Sequence, residues 1–359
     1  MAIKPTIIIT FKQLATSLIQ RSERGTAILL LSDTTGAATG STIINTKVYR
    51  SVADIDESLY TKDNIKHIKN CLFYAPYELI VISSNSTKFA DFAKAIVKIR
   101  KTGWITFAGN DTMQSDLMSW IKSMENNSRT YKAVGTQKGA DSKQYVYFNQ
   151  KGIDNNGDEV PAKNYLSSLL GIIASCNVQG GLTNFLCTDL SEIAEVDNID
   201  TAISSGQLVL TNETDGVRIV SSINSLTTTN GSTSTEDMQH IETVEAMNLI
   251  MDDIKKAFKE TYQGKYKNKY TNQILFVGAV NEYFRSLSSQ DILSEDFENK
   301  AEIDVDRQRS AWLGIGNQAA IDWSDDEVKK NTFGRSVFVK CNIKILNCME
   351  NLEFIVSMN

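Results

Sequence analysis

Apolar positions recur along the chain with a period of two in some segments and about 3.6 in others, and this alternation lays out the elements. Residues 3 to 11 are β-prone, with Ile7, Ile9 and Phe11 on one face and Pro5 near the start, as in an edge or terminal strand. A polar stretch, Gln20-Arg21-Ser22-Glu23-Arg24-Gly25, separates this arm from Thr26-Ala27-Ile28-Leu29-Leu30-Leu31-Ser32-Asp33. That continuous apolar run predicts a strand covered on both faces.

Strands and helices then alternate. Leu79–Ile82 and Trp104–Ala108 predict strands, and Lys88–Arg100 and Met113–Met124 predict the helices that follow them. Short strands are expected near 132–134 and 145–148, and a helix over Ala162–Cys176 with Pro161 at its first turn. Such an order implies right-handed crossovers and a largely parallel sheet. Between 178 and 232 the texture turns to Ser, Thr, Asn and Gly. Gln207–Thr211 and Val217–Ser222 flank an Asp-Gly pair and predict a hairpin.

The loop Leu226–Ser234 is the best domain boundary by composition. After it Ile241, Val244, Met247, Met251, Ile254 and Phe258 form the clearest amphipathic stripe, best explained by core packing. Gln273–Val277 is apolar, while Asn281–Leu287 and Val305–Leu313 have helical spacing. The chain closes on an expected hairpin. Val337, Val339, Cys341, Ile343 and Ile345 alternate on its first strand, and Leu352, Phe354 and Val356 on its second. The expected fold is therefore α/β: a mostly parallel core with an inserted β-hairpin region, a C-terminal α+β domain, and β arms at both ends. The divisions fall at 1–22 (arm and hinge), 23–177 (core), 178–232 (insert and linker), 233–335 (C-terminal domain) and 336–359 (hairpin arm).

Composition narrows the function. The chain has 359 residues, 42% apolar and 22% charged, with 37 Lys plus Arg against 43 Asp plus Glu. A net charge of −6 counts against a nucleic-acid binder, whose phosphate contacts need a basic footprint. No apolar stretch approaches the ~20 residues of a membrane span, and the N-terminus has no signal-peptide pattern, which points to folding in a cytoplasm. Five cysteines without a CxxC pair suggest neither a disulfide framework nor a zinc site.

Only two histidines occur, His67 on an expected lysine-rich helix and His240 before the amphipathic one, and neither lies in a metal or catalytic motif. There is no GxSxG elbow. Gly36-Ala37-Ala38-Thr39-Gly40-Ser41 lacks the lysine of a phosphate loop, and Gly180-Gly181 reads as a helix stop. No catalytic, cofactor or metal residues are expected.

The two ends carry the functional signal. An unpaired strand edge recruits a neighbour, so β-prone ends either join a sheet in their own molecule or pair with another chain. Here a resemblance decides the expectation. Ile7–Phe11 followed by Glu23–Ile28, the segment Gly216–Thr227, the helix Ile241–Ile254 with Tyr262–Lys265, Ala301–Val305 and Cys341–Phe354 together resemble the sheath proteins of contractile tails, in phages and R-type bacteriocins. The length resembles the compact sheaths of defective-prophage and diffocin-type particles. Asn347-Cys348-Met349-Glu350 stands where that family more usually has Asp-Ala-Met-Glu.

The resemblance implies a structural homo-oligomer: hexameric rings stacked helically around an inner tail tube protein, with baseplate and tail terminator proteins at the ends. It would be assembled in the host bacterial cytoplasm and carried on the tail of a released particle. It implies that Ile7, Ile9 and Phe11, and the C-terminal residues from Val337 to Val356 named above, are strands donated to neighbours, with Arg24 and Gly25 in a hinge. Contraction then needs no cofactor, nucleic acid or membrane insertion by this chain. A weak contact with the tube is expected at Asp325, Asp326, Glu327, Lys329 and Lys330, the alternative being a solvated helix end. Two other classes stay open: an α/β hydrolase, which a pocket joining His67 to a serine and an aspartate would support, and a non-contractile shell protein.

Overall fold

The computed structural model describes residues 19, 24–36, 42–176, 178 and 180–357. The expected N-terminal arm, with Ile7, Ile9 and Phe11, lies outside them. The described residues divide into two compact units, one formed by residues 24–250 with 345–357, the other by 251–344. The division falls inside a helix, at 250/251, rather than in the polar loop before 233.

The larger unit is built on a six-stranded sheet. Its strands and helices run β1 (Thr26–Ser32), β2 (Ile44–Tyr49), α1 (Lys62–Phe73), β3 (Glu78–Ser84), α2 (Phe89–Ile99), β4 (Trp104–Phe107), α3 (Gln114–Asn126), β5 (Lys132–Gly135) and β6 (Tyr145–Tyr147). The strand order is β2-β3-β1-β4-β5-β6, all neighbours parallel except the antiparallel edge strand β2. β1 supplies both layers of core. Ala27, Leu29 and Leu31 pack towards one face with Ile68 and Leu169, while Ile28 and Leu30 pack towards the other with Phe92, Ile96 and Leu117. This two-sided burial is why β1 has no polar alternation.

Further along come β7 (Gly152–Asp154), β8 (Glu159–Val160), α4 (Ala162–Ser175), β9 (Leu190–Ile193), α5 (Ile199–Ser204), β10 (Leu210–Glu213), β11 (Gly216–Ile219) and α6 (Ile241–Ala257). Three short strands form a second sheet, β8-β7-β9, and the Asp-Gly hairpin is the ribbon β10-β11. Helix α4 lies so close to α1 that a Cβ on Gly171 would sit 2.3 Å from the Cys71 carbonyl oxygen. Only glycine permits that approach.

The smaller unit holds α7 (Tyr270–Ser288), β12 (Lys300–Ile303), α8 (Val305–Gly314), α9 (Asp325–Lys330) and β13 (Val339–Asn342). The apolar run 273–277 belongs to α7 and is not a separate element. Tyr283 donates to Asp253 Oδ2 at 2.7 Å and is itself buried, which holds α7 to the end of α6. Strand β13 pairs antiparallel with β12, Cys341 opposite Ala301. No helix among the described residues is long and apolar enough to cross a membrane.

Candidate functional site

The expected C-terminal hairpin does not form. Its first half supplies β13, which pairs with β12 instead of folding back on 352–357. Of the residues expected on that strand, Val339 and Cys341 lie in β13, while Val337, Ile343 and Ile345 flank it half-buried. Residues 352–357 form no strand with the described residues. Leu352, Phe354, Ile355 and Val356 are 88%, 79%, 81% and 67% exposed, an apolar run facing water. Four such side chains are a poor surface for a solitary molecule, each worth about 1.5–3 kcal/mol when fully covered.

The two edges of the β12-β13 ribbon differ. On β12, Ala301 N–H donates to Asn281 Oδ1 at 2.6 Å and Asn281 Nδ2 donates to the Ala301 carbonyl at 3.1 Å. One side-chain amide thus imitates a neighbouring strand and closes that edge. Because Ala301 turns both polar groups away from β13, its partner Cys341 does the same on the far side. The outer edge of β13 therefore presents its main chain outward, with Lys340, Cys341 and Asn342 exposed.

At the expected hinge, Arg24 is half-buried and Gly25 has φ +106°, a region that favours glycine. A Cβ there would lie 2.9 Å from the Ala174 carbonyl oxygen and 3.1 Å from Tyr77 Cβ. The backbone at Gly25 is held by packing.

The expected tube-contact group is the short helix α9. Ser324 and Glu327 close a capping box, with Glu327 Oε2 accepting from the Ser324 N–H at 2.7 Å. That hydrogen bond holds the Glu327 carboxyl below its ordinary range. Asp325 pairs with Arg309 at 3.0 Å and Lys329 with Asp326 at 3.5 Å. Much of this charge is engaged locally, leaving Lys330 as an exposed cation at the helix end.

The histidine on α1 meets a serine, as a hydrolase would require, but with the wrong hydrogen bonding. His67 Nδ1 lies 3.1 Å from Ser167 Oγ, and Ser167 Oγ is 3.0 Å from the Asn164 carbonyl to which it donates. The serine proton is thus directed at the backbone and its oxygen accepts from imidazole, the reverse of nucleophile activation. Ser167 is completely buried, and no carboxylate among the described residues hydrogen-bonds the ring. Burial pushes the His67 pKa down to about 4, so the ring is neutral at pH 7. Beside it, at the carboxyl ends of β1 and β4 where the sheet connections reverse, lies a cleft of about 620 Å³ lined by Ser32, Asp63, Asn64, His67, Ser168 and Asp189, so a serine and an aspartate do share a pocket with His67, without a carboxylate hydrogen-bonded to its ring among the described residues.

What this architecture belongs to is decided by comparison. Residues 233–359 match the family described as phage tail sheath C-terminal domain. Over this stretch the chain is similar to tail sheath proteins. It is 29% identical, over 98% of its own length and 98% of the relative's, to the tail sheath protein of Clostridium phage phiCD119. Its fold is that of solved contractile sheaths. The contracted helical sheath of the anti-feeding prophage superposes with a TM-score of 0.69 at 12% identity, covering 100% of both chains. The contracted PVC sheath of an extracellular contractile injection system gives 0.66 at 12% identity over 99% of this chain and 98% of that one. The sheath family is a structural one, and the expected α/β class is the fold this protein shares with it.

Proposed function

We propose that this chain is a tail sheath subunit that polymerises with copies of itself as stacked six-fold rings around an inner tube, and that strands exchanged between copies keep the rings joined while the polymer contracts. The observation that carries this is the pairing of opposites within one chain: an apolar C-terminal run with no strand partner among the described residues, and a ribbon with one edge closed by Asn281 and the other, among the described residues, unpaired at β13. A strand added at that edge makes main-chain hydrogen bonds directed across the joint, which resist separation while allowing each body to rotate about it. The N-terminal arm, through Ile7, Ile9 and Phe11, would make a second joint. Energy for contraction then comes from surface buried between subunits, and the reaction requires no nucleotide. Contact with the tube must break during the movement, which suits exposed charges such as Lys330 on α9, individually worth ~0–1 kcal/mol.

Electron microscopy and gel filtration of the full chain beside a version lacking residues 1–12 test this reading. Rings or tubes are expected from the first and smaller soluble species from the second. Identical discrete monomer peaks would refute it.

A further inference from the structure

Where the C-terminal segment crosses the larger unit, three side chains converge from different parts of the sequence. His240 immediately precedes α6, Glu242 is in its first turn, and Glu350 comes from the C-terminal segment. One donor atom from each lies within 4.8 Å of the other two. His240 Nδ1 is 3.7 Å from Glu242 Oε1 and 4.0 Å from Glu350 Oε1. These separations are too long for hydrogen bonds. They are close to the spacing of ligands around a common small cation, where donors at 2.0–2.2 Å from the ion stand roughly 3–4 Å from one another.

Charge and burial point the same way. Glu242 is 5% exposed; its Oε2 accepts from Ser222 Oγ at 2.7 Å, while Oε1, facing the cluster, accepts no hydrogen bond from the other described residues. Glu350 accepts from Thr183 Oγ1 at 2.5 Å. No lysine or arginine among the described residues ion-pairs with either carboxylate. Two adjacent carboxylates repel, one of them on a residue only 5% exposed, and a cation between them relieves that cost. A proton on His240 would neutralise only half of that charge; a doubly charged ion neutralises all of it. The Ser222 and Thr183 hydroxyls meanwhile fix the carboxylates, as outer partners of metal ligands do.

We propose that His240, Glu242 and Glu350 form a binding site for a divalent first-row transition ion of the zinc class, which staples the C-terminal segment to the start of α6. The imidazole nitrogen selects such an ion over calcium or magnesium, which prefer an all-oxygen shell. The staple fixes the root of the segment a few residues before the exposed run 352–356. Metal loading would thus set the direction in which the donated strand leaves its own subunit. That consequence rests on the strand-exchange reading, whereas the ion binding itself does not.

The test uses the full chain, stripped with a chelator and titrated with zinc. Equilibrium dialysis should give one zinc per chain, and zinc should slow tryptic cleavage after Lys344, followed by mass spectrometry. His240→Ala and Glu350→Gln should each weaken zinc uptake at least ~10-fold and abolish the protection. Their thermal unfolding without metal should match that of the parent, showing that the fold is intact. The proposal is overturned if the parent takes up less than stoichiometric zinc, or if either variant retains parental uptake. It is equally overturned if magnesium protects as well as zinc, or if acidification alone protects the stripped chain, which would identify protonated His240 as the clamp. Uptake is measured on unassembled chains, so failure to polymerise leaves this result readable.

Discussion

The ammonium of Lys132, on β5, is buried against the carboxylate of Glu245, on α6, with the ring of Trp104 centred 5.0 Å from the same nitrogen. This ion pair ties the central helix to the sheet. Beside it Gln144 and Asn248 exchange two amide hydrogen bonds, at 2.8 and 2.9 Å. Removing one partner strands a buried charge. Lys132→Met should therefore destabilise the chain by about 3–5 kcal/mol in urea unfolding, whereas Lys132→Met with Glu245→Leu should recover most of the loss. Equal costs for the single and double variants would show that the pair does not hold α6.

Gly171 gives a test of opposite sign to helix propensity. In an exposed helix, Gly→Ala gains up to ~1 kcal/mol. Here the added methyl meets the Cys71 carbonyl oxygen, a backbone atom that cannot swing aside, so α1 and α4 must separate. Gly171→Ala is expected to lower stability by about 1–3 kcal/mol in chemical denaturation. A stabilised variant would mean that the two helices pack more loosely than the structure shows.

His67 makes stability depend on pH. Its folded-state pKa is lowered to about 4 by burial, below the unfolded value of 6.5. Between these values the unfolded chain binds the proton and the folded chain does not, so stability rises with pH across the window and is lost on acidification through it. The full effect of this group is about 3 kcal/mol, fully present above pH 6.5. Unfolding free energies at pH 7 and pH 5 should differ less in His67→Gln than in the parent. An unchanged difference would assign the acid sensitivity to other groups.

Much of the core was legible because its pattern is redundant. The unbroken apolar run of β1 follows from burial on both faces. The stripe on α6 located the helix but not its burial, because Met247, Met251 and Ile254 are half-buried while Glu242, Glu245 and Asn248 are buried. The Asp-Gly pair placed the β10-β11 ribbon because its turn chemistry is local. Where the number of turns or the partner mattered, the sequence said less. β2 was missed because Ile44-Asn45-Thr46-Lys47-Val48-Tyr49 is an exposed edge with little alternation, and β7, β8 and β9 are too short to show a period. At the C-terminus, alternation correctly marked Val339 and Cys341 as strand residues. Alternation reports which face a residue takes, not which strand lies beside it, and the partner proved to be β12. The His240, Glu242 and Glu350 cluster left no trace in motif spacing because the fold alone brings its third member to the other two.

The arrangement of β13 predicts how assembly can be separated from folding. The Cys341 N–H points away from β12, so proline at that position removes no hydrogen bond of the chain's own ribbon and is tolerated as edge prolines are. It does remove a donor that an incoming strand would use. Phe354→Asp places a charge on the exposed C-terminal run, where the isolated chain has nothing to lose; its effect on monomer stability should stay within ~0.5 kcal/mol. Both Cys341→Pro and Phe354→Asp are therefore expected to yield folded monomers that fail to sediment as polymers. Mixing the two should not restore assembly, because each copy must both give and receive at successive joints. Polymers of normal length from either variant, seen by sedimentation and negative-stain microscopy, would place the intersubunit joint elsewhere on the subunit.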